Sequence, residues 1–156
     1  MALDFKDIRE VWDVVRKGLE QVRKDSQVDW RLEDVYASCV NGKSHILMDA
    51  ARSARGFVIV ETVSIPFSND TKLLLWIAYD PEPNSALAHA EELEHLARST
   101  GHRQIELATP HAKLSKLAQQ FGYTERWTVL TKELEQERCH LAAVDTSQKN
   151  GKVRSL

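Results

Sequence analysis

The sequence lacks the features of a disulfide-rich, membrane-spanning or strongly charged protein. Its two cysteines, Cys39 and Cys139, are too few for a disulfide framework or a cysteine-rich zinc site. It has no apolar run of about 18 residues and no signal peptide at its start. The formal net charge is only -2, which gives no global attraction to nucleic acid or to a membrane. We therefore expect a cytoplasmic protein whose 156 residues build one ordinary core.

The spacing of apolar residues predicts four helices. Apolar side chains three and four positions apart predict an amphipathic helix over Phe5–Lys24, with Asp4 as its N-cap. The same spacing predicts three shorter helices, over residues 32–40, 86–100 and 111–121. Cys39 lies on the apolar side of the second helix, so we predict a core residue there rather than a nucleophile.

Five segments rich in β-branched and apolar residues predict strands. SHILMD, GFVIVETVSI and KLLLWIAYD follow one another with turn-like segments between them, which predicts antiparallel neighbours. RQIELAT follows the helix over 86–100, and that helical crossover predicts a strand parallel to KLLLWIAYD. RWTVLTKEL is the last predicted strand. The pattern predicts an α/β fold with a mixed, mostly antiparallel sheet flanked by helices.

The end of the chain differs from the rest in composition. Residues 1–135 contain all the predicted elements, and residues 136–156 form a polar segment without apolar periodicity. From residue 138 onward this tail carries four basic residues against one acidic residue. A basic tail beside an acidic body is suited to reach a neighbouring molecule, so we expect a protein partner or a homo-oligomer, with the tail as one candidate contact.

The loop between KLLLWIAYD and the next helix is where many α/β proteins hold a phosphate. In this chain the loop reads DPEPNS, residues 80–85, with two acids, two prolines, no glycine and no basic residue. Asn84 and Ser85 are both suited to cap the following helix, and capping uses their side chains internally. These residues alone favour a plain helix start over a phosphate site.

Two phrases near the end of the predicted domain carry a family resemblance. ARSTGHRQIEL and LAQQFGYTERWTVLTKEL resemble the C-terminal half of the GCN5-related N-acetyltransferase (GNAT) superfamily. DIREVWDVVRKGLEQV, LEDVYASCVNGKSHILM and the two central strands resemble short GNAT-like proteins of tailed bacteriophages. Together the resemblance covers residues 4 to 135. It implies a GNAT-like domain and, for a phage protein, a location in the host cytoplasm or the virion.

The resemblance implies that acetyl-CoA, if it is used, binds at the DPEPNS loop. In the superfamily a glycine-rich loop and a helix N-terminus offer backbone N–H groups to the cofactor's diphosphate. The matching positions here are Asn84, Ser85 and Ala86, which we take as a degenerate cofactor loop. The prolines remove donors, and Asp80 and Glu82 place negative charge near a diphosphate.

The resemblance also assigns candidate catalytic positions. The superfamily tyrosine that protonates the departing thiolate corresponds to Ala118, which cannot donate a proton. A superfamily asparagine corresponds to His111, which is either an acid or base or a solvent-facing capping residue. Glu61, on a central strand, is the candidate general base, although the sequence does not settle which sheet face it occupies.

Two functions remain open at this point. In the first, the protein is a catalytically degenerate GNAT-fold protein of phage type that acts by binding, as a virion or host-interaction component. In the second, it is an acetyl-CoA-dependent N-acetyltransferase that modifies an amine of a protein or small molecule. The six histidines show no spacing typical of a metal site, and the basic residues show no pattern typical of nucleic-acid binding, so we expect neither.

Overall fold

A computed structural model describes residues 3–26, 28–50, 56–82, 89–126 and 132 of the chain. The described residues form, in chain order, the following elements: β1 (Leu3–Lys6), α1 (Ile8–Asp25), α2 (Leu32–Val40), β2 (Ser44–Asp49), β3 (Phe57–Ser64), β4 (Thr71–Tyr79), α3 (Ala90–Ser99), β5 (Gln104–Leu107) and α4 (Ala112–Gln120). The chain divides into two units, Met1–Thr124 and Glu125–Leu156, and all of these elements belong to the first. In the second unit the described residues Glu125, Arg126 and Lys132 are exposed.

The five strands form one sheet in the order β1-β2-β3-β4-β5. The first four strands are antiparallel neighbours, and β5 runs parallel to β4. The helix α3 makes the crossover between the two parallel strands, as the sequence predicts. The prediction of a mixed, mostly antiparallel α/β sheet flanked by helices is confirmed.

The first predicted helix begins too early in the sequence. Leu3–Lys6 is a strand that pairs with β2, and the helix starts at Ile8 with Asp7, not Asp4, at its N-cap. The carboxylate of Asp7 accepts a hydrogen bond from the Arg9 backbone N–H at 2.9 Å. The predicted start was wrong because Phe5 fits the helical spacing, although in the strand its side chain is exposed.

The remaining helices lie close to their predicted positions. The helix α2 has the predicted bounds, and α4 ends one residue before the predicted end. The helix α3 begins at Ala90 with His89 at the N-cap position, four residues later than predicted. Asn84, Ser85 and Ala86, and the predicted last strand apart from Arg126 and Lys132, lie outside the described residues.

Each face of the sheet has its own hydrophobic core. The helices α1 and α2 cover one face, and the buried residues there are Ile8, Val15, Leu19, Val35, Ile46, Met48, Phe57, Ile59 and Ile77. The helix α3 covers the other face, with Leu3, Leu47, Val60, Leu73, Leu75, Leu93, Leu96 and Ala97. Cys39 packs against the first core, as predicted. Among the helices in the described ranges, none is long and apolar enough to cross a membrane.

Candidate functional site

An irregularity in β4 shapes the sheet where its two parallel strands meet. Ile59 of β3 pairs with Ile77 of β4, but the next residue, Val60, pairs with Leu75, so Trp76 is an extra residue on β4. The extra residue shifts the alternation of side chains by one position. As a result Leu75 packs in the core under α3, whereas Ile77 packs in the core under α1 and α2.

A cleft opens beyond this bulge, where β5 stops pairing with β4. The described parallel pairs run only from Lys72 and Gln104 to Leu75 and Leu107. Beyond them, residues 76–80 at the end of β4 and residues 108–111 after β5 line a cavity of about 640 Å³. This volume is within the range of small-molecule sites. The cleft lies at the carboxyl ends of two parallel strands, which is where open α/β sheets usually bind ligands.

The walls of the cleft combine aromatic and acidic side chains. Four aromatic residues line it, Trp30, Phe57, Trp76 and Tyr79. Four acidic residues also line it, Asp25, Asp49, Asp80 and Glu82, and none of the described lining residues is Lys or Arg. The described part of the cleft is therefore suited to apolar and hydrogen-bond-donating groups rather than to a polyanion.

His111 lies at the rim of the cleft, at the N-cap position of α4. It is exposed and occupies the capping position expected from the sequence, but its side chain makes no capping hydrogen bond. Its Nε2 atom is instead 2.9 Å from Oγ of Ser26, the C-cap residue of α1. This contact brings the end of α1 next to the start of α4, although the two residues are 85 positions apart.

A second histidine, His89, also lines the cleft, at the N-cap position of α3. It is partly buried, with Nε2 3.2 Å from a carboxylate oxygen of Asp49 and Nδ1 3.6 Å from one of Glu92. The backbone N–H of Leu3 also donates to Glu92, at 3.1 Å. The sequence hinted at this cluster only through the position of His89 beside Leu93 on the apolar side of the helix.

The turn between β4 and α3 differs from a diphosphate site in its backbone chemistry. Pro81 has no N–H group, and the N–H of Glu82 donates at 2.8 Å to the carboxylate of Asp80. A diphosphate needs several backbone N–H groups that are free to donate. In residues 80–82 one donor is absent and a second is already bound to a carboxylate. These residues do not fit the acetyl-CoA diphosphate.

Glu61 lies apart from the cleft, and the structure does not bring it together with His111. Its side chain is buried on the α2 side of the sheet, where its carboxylate accepts hydrogen bonds from Ser44 at 2.5 Å and Ser38 at 3.4 Å. The ammonium group of Lys43 is 3.9 Å away. Burial, and to a lesser extent the charge of Glu61, raises the pKa of Cys39 to about 11, which keeps that thiol protonated and unreactive.

Ala118 lies inside the fold, where the resemblance places a tyrosine. It is buried in α4 in a small core with Ala90, and Leu114, Leu117 and Tyr123 pack against this core. Burial, and to a lesser extent the charge of Glu94, raises the pKa of Tyr123. Among the described residues, no group of three or more His, Cys, Asp and Glu side chains is placed to hold a metal ion.

The fold is similar to several solved acetyltransferase structures. A ribosomal-protein-alanine N-acetyltransferase from Brucella melitensis biovar Abortus 2308 matches with a TM-score of 0.66 at 15% identity, over 86% of this chain and 100% of that one. An aminoglycoside acetyltransferase from an uncultured soil metagenomic sample, in complex with sisomicin, matches with a TM-score of 0.61 at 9% identity, over 87% and 97%.

A third structure, described as a "predicted acetyltransferase with acetyl-CoA" from Clostridium acetobutylicum, matches with a TM-score of 0.62 at 12% identity, over 83% and 94%. No family model and no curated protein matches the sequence. At these identities the similarity shows the fold alone. The chain has the fold of the GCN5-related N-acetyltransferases.

Proposed function

We propose that this GNAT-fold protein acts by binding a partner in the cleft between β4 and β5, and that it does not transfer acyl groups from CoA. The observation that carries this proposal is the hydrogen bond from the Glu82 N–H to the Asp80 carboxylate. The Asp80 carboxylate occupies this backbone donor and adds a negative charge to the turn.

The energetic argument combines lost donors with repulsion. Pro81 offers no N–H, and using the Glu82 N–H would require breaking its bond to Asp80. Each carboxylate about 5–7 Å from a diphosphate would cost about 1 kcal/mol or more at an intermediate dielectric. Glycines at these positions would permit a close approach of the backbone to the phosphates, and none is present.

This chain also lacks a general acid at the position where the GNAT superfamily carries the tyrosine that protonates the departing thiolate. Ala118 has no proton to donate, and its burial leaves little room for another group there. The cleft itself is nevertheless open and lined with aromatic rings. A cleft without the cofactor's chemistry supports a binding role, and the resemblance to tailed-phage proteins leads us to propose a virion or host-interaction component.

Titration with acetyl-CoA tests the proposal directly. We expect no change in the unfolding temperature and no heat of binding at about 1 mM acetyl-CoA. A dissociation constant of about 100 μM or tighter would stabilise the fold by about 1.4 kcal/mol at that concentration, and would overturn the proposal. A solved GNAT enzyme with bound acetyl-CoA serves as the positive control.

A second candidate function is acetylation of an amine. The specific observation in its favour is that two histidines, His89 and His111, line the same cleft, because imidazole can take up or release a proton near neutral pH. If the protein binds acetyl-CoA and acetylates members of an amine library, and if His111→Gln lowers that rate, this candidate replaces the first. His95→Gln, on the exposed side of α3, is the matched control.

A further inference from the structure

The turn between β3 and β4 presents an aromatic side chain in an unusual way. Phe67 has a relative exposure of 110%, so its ring gains no burial within the fold as described. Its φ is +61°, and among the described non-glycine residues it alone has a positive φ. A bulky residue in this conformation is strained, and strain of this kind persists where the surrounding structure enforces it.

Several hydrogen bonds hold the turn in this conformation. The Ser68 N–H donates to the Ile65 carbonyl at 3.2 Å, which closes a four-residue turn with Pro66 second and Phe67 third. The third position of such a turn favours Gly or Asn. The Asp70 N–H donates to Ser68 Oγ, and Arg103 donates to the Asp70 carboxylate, both at 3.0 Å. The ring of Phe67 is thus presented to solvent on a well-braced turn.

The turn and the cleft lie at opposite ends of the same strand. The strand β4 starts at Thr71, next to the turn, and its second half, from Leu75 to Tyr79, lines the cleft. Four to eight steps of about 3.3 Å therefore place the cleft lining roughly 13 to 26 Å from the start of the strand. Each molecule therefore carries an exposed aromatic anchor at one end and an aromatic-lined cleft at the other, which is the arrangement needed for head-to-tail association.

We propose that Phe67 of one molecule inserts into the cleft between β4 and β5 of a second copy of this chain. This inference rests on the proposed function, because it names the partner that the cleft binds. An aromatic anchor that fills a pocket is the usual centre of a protein interface. The rings of Trp30, Trp76 and Tyr79 offer the apolar surface that the anchor requires.

The chemistry around the anchor also matches the cleft. The tip of the turn, residues 66–69, is uncharged, so it brings no anion to the acidic lining. Asn69 is exposed, and an amide group can donate hydrogen bonds to carboxylates such as Asp25 and Asp80 in the cleft. Association of this kind produces a reciprocal pair where a twofold axis relates the two copies, and chains or rings where it does not.

Two variants and their mixture test the inference by sedimentation velocity over a range of protein concentrations. Phe67→Asn removes the anchor and puts a residue that tolerates positive φ in its place. Ala108→Arg fills the cleft from an exposed position on its wall. We expect the wild type to associate into dimers or larger species as concentration rises, each variant alone to stay monomeric, and the equimolar mixture to form a one-to-one dimer.

The mixture is decisive because each variant keeps one of the two surfaces. A wild type that stays monomeric to about 1 mM, an assembly that Phe67→Asn leaves intact, or a mixture that stays monomeric would each overturn the inference. Acetyl-CoA titration of the Phe67→Asn variant distinguishes failure of the self-association inference from failure of the proposed function, because the cleft of this variant is unchanged. If self-association is not found and the variant binds acetyl-CoA, both proposals fail. If self-association is not found and the variant does not bind acetyl-CoA, only the choice of partner fails.

Discussion

At the scale of single residues, Asp80 and Phe67 each determine what their turn can bind. Asp80 satisfies a backbone donor that a phosphate site would leave free. Phe67 holds a backbone conformation that glycine or asparagine adopts at lower cost. Asp80 adds a negative charge to its turn, and Phe67 adds an exposed ring. Each side chain changes what can bind at its turn.

The strain at Phe67 predicts that the substitution Phe67→Gly stabilises the fold. Relief of a strained φ contributes about 1–3 kcal/mol, and the extra freedom of glycine in the unfolded chain subtracts about 0.4–1 kcal/mol. We therefore expect the free energy of unfolding to rise by about 1 kcal/mol, measured by urea denaturation at a concentration where the protein is monomeric.

Phe5→Gly is the control for this prediction, because Phe5 is also an exposed phenylalanine. Phe5 lies in β1, where its ring contacts His45 edge-on, and its φ is not positive. Glycine inside a strand is unfavourable, so we expect Phe5→Gly to lower the stability. If both substitutions stabilised the fold equally, loss of an exposed ring rather than relief of strain would be the cause.

At the scale of elements, the seating of α1 against the sheet depends on Gly18. A Cβ atom at this position would lie 2.5 Å from Cε1 of Phe57 and 2.6 Å from Cδ1 of Tyr79. Both rings line the cleft, so the helix packs closely against the sheet beside the candidate site. Because Gly18 has no side chain, the rings of Phe57 and Tyr79 can pack directly against the backbone of α1.

We predict that Gly18→Ala destabilises the protein despite the better helix propensity of alanine. Overpacking costs about 1–3 kcal/mol, and the propensity gain returns about 1 kcal/mol at most. A net loss of about 1–2 kcal/mol is expected in urea denaturation. Lys17→Ala, exposed in the same helix, should change the stability by less than about 0.5 kcal/mol. A Gly18→Ala variant as stable as Lys17→Ala would contradict this account of the packing.

Apolar periodicity predicted most elements of the sheet and helices, but three local features escaped it. The strand β1 is only four residues long and directly precedes a strong helical pattern, so it was read as helix. The bulge at Trp76 leaves no signal in a continuous apolar run such as KLLLWIA. The turn after β3 was expected from its composition, yet nothing in PFSND indicates that the phenylalanine takes the positive φ.

At the scale of the whole molecule, the candidate site could not be predicted from residue types alone. His111 and Ser26 are 85 positions apart, and only the sheet topology brings them together. The strand position of Glu61 makes it a candidate, but its carboxylate is buried against Ser44 and Ser38, and none of these three residues lines the described cleft. The DPEPNS loop was the exception, because its prolines and acids carry their chemistry in the sequence itself.

The acid sensitivity of the whole fold follows in part from two carboxylates with lowered pKa values. The Arg9 backbone N–H lowers the pKa of Asp7 below its usual 3.8, and the Arg103 guanidinium, with help from Ser68, lowers that of Asp70. A carboxylate with a lowered folded-state pKa stabilises the fold above its unfolded pKa. That contribution is lost as the pH falls through the folded-state value.

We therefore predict that the double variant Asp7→Asn, Asp70→Asn loses stability less steeply than the wild type on acidification. Asparagine caps a helix about as well as aspartate, so the cap of α1 is kept at neutral pH while its titration is removed. Urea denaturation followed by tryptophan fluorescence, at pH values from about 7 to 3 and low ionic strength, measures the difference. We expect the two curves to converge below a pH of about 4, where the wild-type carboxylates gain protons. Curves that stay parallel over the whole range would show that neither carboxylate is linked to folding.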